Sequence, residues 1–314
     1  MNILITGIHG FVGSHLVKNL RYKHQVYGLD IIAPKKNGVI KTYCWTDLDK
    51  NNIPVIDVVI HLAGKAHDTK NQSEARAYFD INTGLTQKVF DYFLSSSASK
   101  FIFFSSVKAA ADLVAGDVLT EEVVPAPKGP YGESKIAAEK YIQENFDLNN
   151  QQEKQVYILR PCMIHGPGNK GNLNLLYSVV RKGIPWPLGM FDNKRSFTSI
   201  DNLCFVIDGL VSGKISSGIY HMSDDEALST NELIGVMCES LEKKARIWHL
   251  PKGLMQKLAA IGSVLHLPLN SDRLHKLTEN YVVSNSKIKK ALGIERMPVS
   301  AKEGLIRTLK SFKK

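Results

Sequence analysis

Tyr131 and Lys135 stand four residues apart in the run Y-G-E-S-K. On a helix that spacing turns both side chains the same way. A lysine ammonium beside a phenol favours the phenolate and lowers its pKa from about 10. Such a tyrosine can take or give a hydroxyl proton near neutral pH. Ser106 follows the apolar run 101–104 (FIFF) by two residues. At that position its hydroxyl can hold a reacting oxygen and stabilise charge on it. Each signal alone has a plainer reading. Y-x-x-x-K is common on solvated helix faces, and a Ser-Ser pair often caps a turn.

A third feature changes the balance. Residues 6–13 read T-G-I-H-G-F-V-G, with glycines at Gly7, Gly10 and Gly13. Before them stands the apolar run 3–5. After them, 14–20 (SHLVKNL) has a helical pattern. A strand-to-helix turn rich in glycine cradles a dinucleotide pyrophosphate against the helix N-terminus. The run 25–29 (QVYGL) predicts a second strand, and Asp30 ends it 17 residues after Gly13. A carboxylate there accepts hydrogen bonds from both hydroxyls of an adenosine ribose and repels a 2′-phosphate, which favours NAD over NADP. The alternative for Asp30 is a turn cap.

These groups need elements to position them. Apolar runs at 3–5, 25–29, 55–62, 101–104 and 156–159 alternate with helical patterns at 14–20, 78–94 and 131–146. Alternation of this kind predicts an α/β fold with a doubly wound parallel (Rossmann) sheet covered on both faces. The stretch 107–130 reads as a long loop. Beyond Pro161 the texture turns irregular, with a short strand expected at 195–201, a helix at 202–210 and a late strand at 218–222. Ser229 to Glu232 forms a capping pattern. The run 254–267 is an unusually apolar helix, expected either in the core of a second lobe or at an interface or membrane surface. The expected division is a nucleotide-binding domain at 1–165 plus about 196–225. A smaller, mostly helical C-terminal lobe would comprise 166–195 and 226–314.

Composition narrows the classes. Cys44, Cys162, Cys204 and Cys238 are scattered, without metal or disulfide spacing, as expected of reduced cysteines in a cytoplasmic protein. Met1 leads directly into the first apolar run, so no signal peptide is expected. No apolar run is long enough to span a bilayer. The net charge is +10, and residues 285–314 carry nine Lys/Arg against two Glu. A basic tail suits an acidic partner such as a nucleotide diphosphate or an anionic membrane face, or is simply a solvated helix surface. No zinc pattern, aromatic RNA-binding signature or basic recognition helix supports nucleic-acid binding.

Taken together, the motifs resemble the extended short-chain dehydrogenases/reductases, in particular the NAD-dependent nucleotide-sugar epimerase/dehydratase group. The resemblance runs along nearly the whole chain: TGIHGFVG at 6–13, DVVIHLAG at 57–64, INTG at 81–84, SSVK at 105–108, YGESK at 131–135, LRPCMIHGPG at 159–168, RSFTSIDNL at 195–203 and VSNSKIKKALG at 283–293. It implies a cofactor loop of Gly7, Gly10, Phe11, Val12 and Gly13, with Asp30 on the ribose and Asp57 near the adenine. Leu62, Ala63 and Gly64 would pass beside the cofactor, and Asn82 would stand near its nicotinamide half. Ser106, Tyr131 and Lys135 would be the catalytic triad, with Lys135 also on the nicotinamide ribose. Asn172 and Arg195 would hold a sugar nucleotide, the arginine on its diphosphate, with Arg273 a further phosphate ligand. Lys108 resembles a branch with S-S-x-K whose members act on UDP-N-acetylhexosamines or their 6-deoxy-4-keto forms in surface polysaccharide synthesis. There it would bring positive charge to the reacting oxygen or point to solvent. His165 stands where tyrosine is commoner, and is read as a packing change.

The activity implied is a UDP-hexose or UDP-N-acetylhexosamine 4-epimerase. The alternatives are an NAD(P)H-dependent 4-ketoreductase and a non-catalytic NAD-binding scaffold. Dehydratase chemistry is disfavoured, because Val107 and Lys108 stand where the family's dehydratases carry Asp-Glu. A homodimer through the helices near Tyr78 and Tyr131 is a further family expectation.

Overall fold

A computed structural model describes residues 1–50, 52–65, 74–146, 153–169, 171–265 and 269–313. Seven strands form the central sheet: β1 (Asn2–Thr6), β2 (Gln25–Leu29), β3 (Thr42–Tyr43), β4 (Val58–His61), β5 (Lys100–Phe104), β6 (Gln155–Pro161) and, from late in the chain, β9 (Gly218–Met222). Their order is β3-β2-β1-β4-β5-β6-β9, and every neighbouring pair is parallel. β7 (Met163–His165) and β8 (Phe197–Ser199) pair separately. The helices are α1 (Phe11–Leu20), α2 (Trp45–Asp49), α3 (Ala75–Tyr78), α4 (Leu85–Ser95), α5 (Val107–Ala110), α6 (Pro130–Asn145) and α7 (Asn172–Arg181). They continue with α8 (Ile200–Ser212), α9 (Thr230–Ser240), α10 (Lys252–Val264), α11 (Ser271–Thr278), α12 (Ser286–Leu292) and α13 (Ala301–Lys310).

Both faces of the sheet are covered, and strand periodicity decides which side chain goes where. Ile3, Ile5, Val58, Ile60, Ile102 and Phe104 point to one face, against α1 and α8. Their neighbours Leu4, Val59, Phe101 and Phe103 point to the other, against α4 and α6 through Val89, Phe90, Phe93, Ala138 and Ile142. Burial on both sides is why these strands are continuous apolar runs rather than alternating ones. A third core joins α7, α9, α10, α11 and α13 through Leu173, Tyr177, Leu233, Met237, Met255, Leu274 and Leu305.

Local chemistry moves several expected boundaries. The 107–130 stretch is not all loop, because the Ser106 hydroxyl accepts the Lys108 N–H and starts the single turn α5. Four residues are too few to show a helical period. The strand expected at 195–201 stops at Ser199, whose hydroxyl caps α8 by accepting the Asn202 N–H. α10 ends at Val264, and residues 266–267 of the run expected to be helical lie outside the described part. α3 and α4 are joined by a π-helical turn, Phe79–Gly84. Such insertions are frequent at functional sites. Here the turn carries Asn82.

Candidate active site

In a parallel sheet, ligands collect outside the C-terminal strand ends. Asp30 follows β2, Leu62-Ala63-Gly64 follow β4, Ser105-Ser106 follow β5 and the glycine turn follows β1, so all lie along that edge. A β-carbon on Gly13 would come 2.7 Å from the Gly7 carbonyl oxygen and 2.8 Å from Ile8 Cα. Glycine is therefore what lets the first turn of α1 lie against the loop. Asp30 stands beside this loop and accepts the His9 and Ile31 N–H groups at 3.0 and 2.8 Å.

Ser106 caps α5 and Tyr131 lies in the first turn of α6, with their side chains hydrogen-bonded to each other. Tyr78 packs edge-on against Tyr131, ring centres 6.2 Å apart. Lys135 is buried. Its ammonium donates to the Phe104 carbonyl at 2.8 Å and lies 5.1 Å from the centre of the Phe103 ring. Burial lowers its pKa to about 8, against the pull of the Glu139 carboxylate one turn on.

The expected lowering of the Tyr131 phenol is not found in this arrangement. Burial raises its pKa, the Ser106 hydrogen bond works the other way, and neighbouring Tyr78 adds to the rise. The reason is geometric, since the Lys135 ammonium is committed to the end of β5.

A buried polar chain fixes the floor. Thr6 Oγ1 accepts the Leu62 and Ala63 N–H groups, so its proton goes to His61 Nδ1 at 2.7 Å. Thr86 donates to the Asn82 carbonyl at 2.6 Å, so it accepts from His61 Nε2 at 3.0 Å. His61 is thereby a neutral Nε2–H tautomer, consistent with a pKa depressed to about 3 by burial and by Lys135. Asn82 continues the chain, donating to Ser134 Oγ at 3.0 Å and accepting the Lys65 N–H at 2.7 Å. Three elements that carry site residues, β1, the π-turn and α6, are tied together through these bonds.

This wiring predicts acid lability. His61 and His221 have folded pKa values of about 3 and about 4, below the ordinary 6.5. Between those values the unfolded chain binds more protons. Stability is therefore full above about pH 6.5 and falls as pH drops, by up to about 1.4 kcal/mol per pH unit for each histidine. Thermal unfolding measured at pH 7, 6 and 5 should show a falling midpoint, and His61→Gln should flatten the slope. A midpoint that does not move over this range contradicts the assignment.

A second buried device lies behind the serines. Arg160, at the end of β6, donates to both Glu139 oxygens, at 3.0 Å from Nε and 2.6 Å from Nη2. Ser105 donates to the same carboxylate. Glu139 is 0% exposed and Arg160 1%.

Other expected site residues are placed less simply. Asp57 is a correction. It precedes β4, at the opposite end of the sheet from the glycine turn, and its carboxylate accepts the Asn2 N–H at 2.7 Å. The expectation rests on the family resemblance, whereas Asp57 precedes the VVIH run and so falls at the N-terminal end of its strand. Cys44 and Trp45, just after β3, stand on the cofactor edge instead. Lys108 offers Ser106 its backbone N–H, while its ammonium goes to the Asp112 carbonyl at 2.9 Å and over the Tyr281 ring. That correction leaves the reacting-oxygen charge without Lys108. Arg195 donates to the Lys276 carbonyl and pairs with Glu279 at 3.4 Å. Arg273 lies on the exposed side of α11. Asn172 opens α7, and its side chain lies outside the described part. His165 is buried, bonded to Thr308 at 2.9 Å and packed on Phe197, which is a packing role.

Lys36 was not singled out by its sequence context. Its ammonium donates to the Ile8 carbonyl at 2.9 Å and to Ser14 Oγ at 2.7 Å, over the glycine turn. The same turn leaves the buried His9 Nε2 without a hydrogen-bond partner. A cation, an orphaned ring nitrogen and the start of α1 converge there, which fits a dinucleotide diphosphate. Lys36→Ala is expected to weaken NAD binding roughly tenfold or more, the range for a hydrogen bond to a charged group. Titration calorimetry checks this, and unchanged affinity would make Lys36 only a loop clasp.

Among the described residues no group of His, Cys, Asp and Glu is arranged to hold a metal ion, and no helix is long and apolar enough to cross a membrane.

A glycine turn, an acid after β2 and a Ser-Tyr-Lys set on one sheet edge define a class, and comparison with known proteins agrees. The model of the NAD dependent epimerase/dehydratase family matches residues 3–212, and the chain belongs to that family. Among individual relatives, it is 31% identical to a UDP-glucose 4-epimerase of Vibrio cholerae, over 99% of this chain and 95% of that one. It is 27% identical to the N-acetyl-alpha-D-glucosaminyl-diphospho-ditrans,octacis-undecaprenol 4-epimerase of Escherichia coli O157:H7, over 92% and 85%. Among solved structures, MoeE5 in complex with UDP-glucuronic acid and NAD shares the fold. Its TM-score is 0.75 at 20% identity, covering 100% of this chain and 99% of that one.

Proposed function

We propose that the chain is an NAD-dependent 4-epimerase of a nucleotide sugar, a UDP-hexose or UDP-N-acetylhexosamine. The observation that carries this reading is the hydrogen-bonded Ser106–Tyr131 pair beside buried Lys135, on the same edge as the glycine turn and Asp30. The names of the Vibrio and E. coli relatives support inversion at C4 of a sugar joined to a diphosphate. NAD, when bound, supplies the hydride acceptor and donor.

The chain's own groups do the rest. Gly7, Gly10, Phe11, Val12 and Gly13 shape the pyrophosphate cradle, with Lys36 over it. Asp30 uses two of its acceptor positions on backbone N–H groups and has others for the ribose hydroxyls. Its charge disfavours a 2′-phosphate. Leu62, Ala63, Gly64, Asn82 and Lys135 line the nicotinamide end. Tyr131 takes the C4 hydroxyl proton as the alcohol becomes a ketone, and returns it after the sugar has presented its other face. Ser106 holds that oxygen throughout. The two half-reactions cancel, so no net oxidation occurs. Arg195, with Asn172 and Arg273, receives the diphosphate.

The test uses purified protein without added cofactor. UDP-glucose, UDP-galactose and their N-acetylamino forms are added, and inversion at C4 is followed by proton NMR. Inversion is expected. No inversion, with NADH consumed on a UDP-4-keto-6-deoxy sugar, replaces the reading with a 4-ketoreductase.

A further inference from the structure

We propose that the outer face of α10, with the exposed basic residues on it and just before it in the chain, is a docking surface for an anionic lipid bilayer. α10 has two apolar faces. Met255, Ala259 and Gly262 are buried in the C-terminal core. Leu254, Leu258, Ile261 and Leu265 are not, with exposures of 46, 45, 53 and 61%, and adjoining Val264 is 76% exposed. At 3.6 residues per turn those four positions fall within about 60° of one another around the helix axis. Single exposed leucines are ordinary, whereas a continuous exposed stripe marks an interaction surface.

The surroundings select the occupant. Trp248, four residues ahead of α10, is 54% exposed. A half-exposed indole suits the boundary between headgroups and acyl chains. Apart from Arg273, residues 243–276 contain six Lys/Arg (Lys243, Lys244, Arg246, Lys252, Lys257, Lys276) and one acid, Asp272, a net of 6 − 1 = +5. Lys244, Arg246 and Lys257 have no acidic partner among the described residues. A second copy of the chain would set this charge against itself. An anionic bilayer offers opposite charge at the surface and apolar depth beneath.

The surface is also connected to the site. α11 follows α10, the two joined by the Ser263–Ser271 hydroxyl contact at 3.1 Å. Just past α11, Glu279 pairs with Arg195. The docking itself does not depend on the catalytic reading, and vesicle binding is read without turnover.

The full chain is floated with phosphatidylcholine vesicles and with vesicles containing about one third phosphatidylglycerol. Binding to the anionic vesicles at least tenfold tighter than to the neutral ones, weakened by raising salt from about 0.1 to about 0.5 M, is expected. The paired substitution L258S/I261S should lower anionic-vesicle binding at least tenfold, and K244Q/R246Q/K257Q should do the same. All five side chains are exposed, so unfolding midpoints should match the unaltered protein. C4 inversion of a soluble nucleotide sugar should stay within about twofold. Absent or equal binding to the two vesicle types overturns the proposal. So does a dimer in sedimentation velocity that L258S/I261S dissociates, since a second copy would then cover the stripe.

Discussion

Tyr131→Phe should lower kcat for C4 inversion by three or more orders of magnitude and leave the fold intact. Loss of a positioned acid–base group costs roughly 10²–10⁴-fold. The upper end is expected because the same hydroxyl acts in both half-reactions. The fold should survive because the phenol contributes a bond to Ser106 and the ring keeps its edge contact with Tyr78. Ser106→Ala should fall less, by roughly 10²–10³, as for removal of one donor to a developing oxyanion. The double variant should be little worse than Tyr131→Phe, because groups acting as a unit do not add. NMR turnover and thermal unfolding check both halves. Turnover in Tyr131→Phe within tenfold of the unaltered protein would remove the tyrosine from the reaction.

The raised pKa of Tyr131 gives this experiment a second reading. In the unliganded protein the phenol keeps its proton at neutral pH. To take the substrate's proton it must first give up its own, a loss that nearby positive charge favours. Lys135, one turn on along α6, has a pKa of about 8 and is largely protonated at pH 7. Lys135→Met should therefore move the acid limb of the kcat/KM profile to higher pH, beyond any loss in kcat.

Much of the fold was legible because parallel strands buried on both faces write themselves as apolar runs. VVIH, FIFF and VYIL all became central strands. The site was legible where chemistry is local. The glycine turn and the Y-x-x-x-K spacing need only a few adjacent residues. What stayed hidden depends on contacts across the chain. Thr6 and His61 are 55 residues apart, and Lys36 and Ser14 are 22 apart, so no short window shows them. The π-turn that positions Asn82 is one extra residue in an otherwise helical pattern. The expectation for Asp57 rests on family resemblance alone, although the residue stands before its strand and so at the edge away from the cofactor. Lys108 and Lys135 had the right spacing, yet their ammonium groups go to Asp112 and to Phe104.

The largest effect on stability is expected at Glu139 and Arg160. Both are buried and joined by bonds at 2.6–3.2 Å. Glu139→Ala leaves a guanidinium in the interior without its carboxylate, and Arg160→Met leaves the carboxylate with the Ser105 hydrogen bond and the Lys135 charge. Breaking a buried pair from one side costs about 3–5 kcal/mol, on the order of 10 °C in unfolding midpoint for a chain of this size. Replacing both partners with apolar residues is often neutral, so Glu139→Leu/Arg160→Met should recover most of that loss. Activity should not return with it. Ser105, adjacent to Ser106, has lost its acceptor, and Lys135 has lost the charge that holds its pKa up. Stability restored without turnover would identify the pair as a positioning device for the Ser106–Lys135 side of the site. Full recovery of both would make it a plug beneath the sheet edge. Single variants within about 1 kcal/mol of the unaltered protein would mean that water reaches the pair, as at exposed salt bridges.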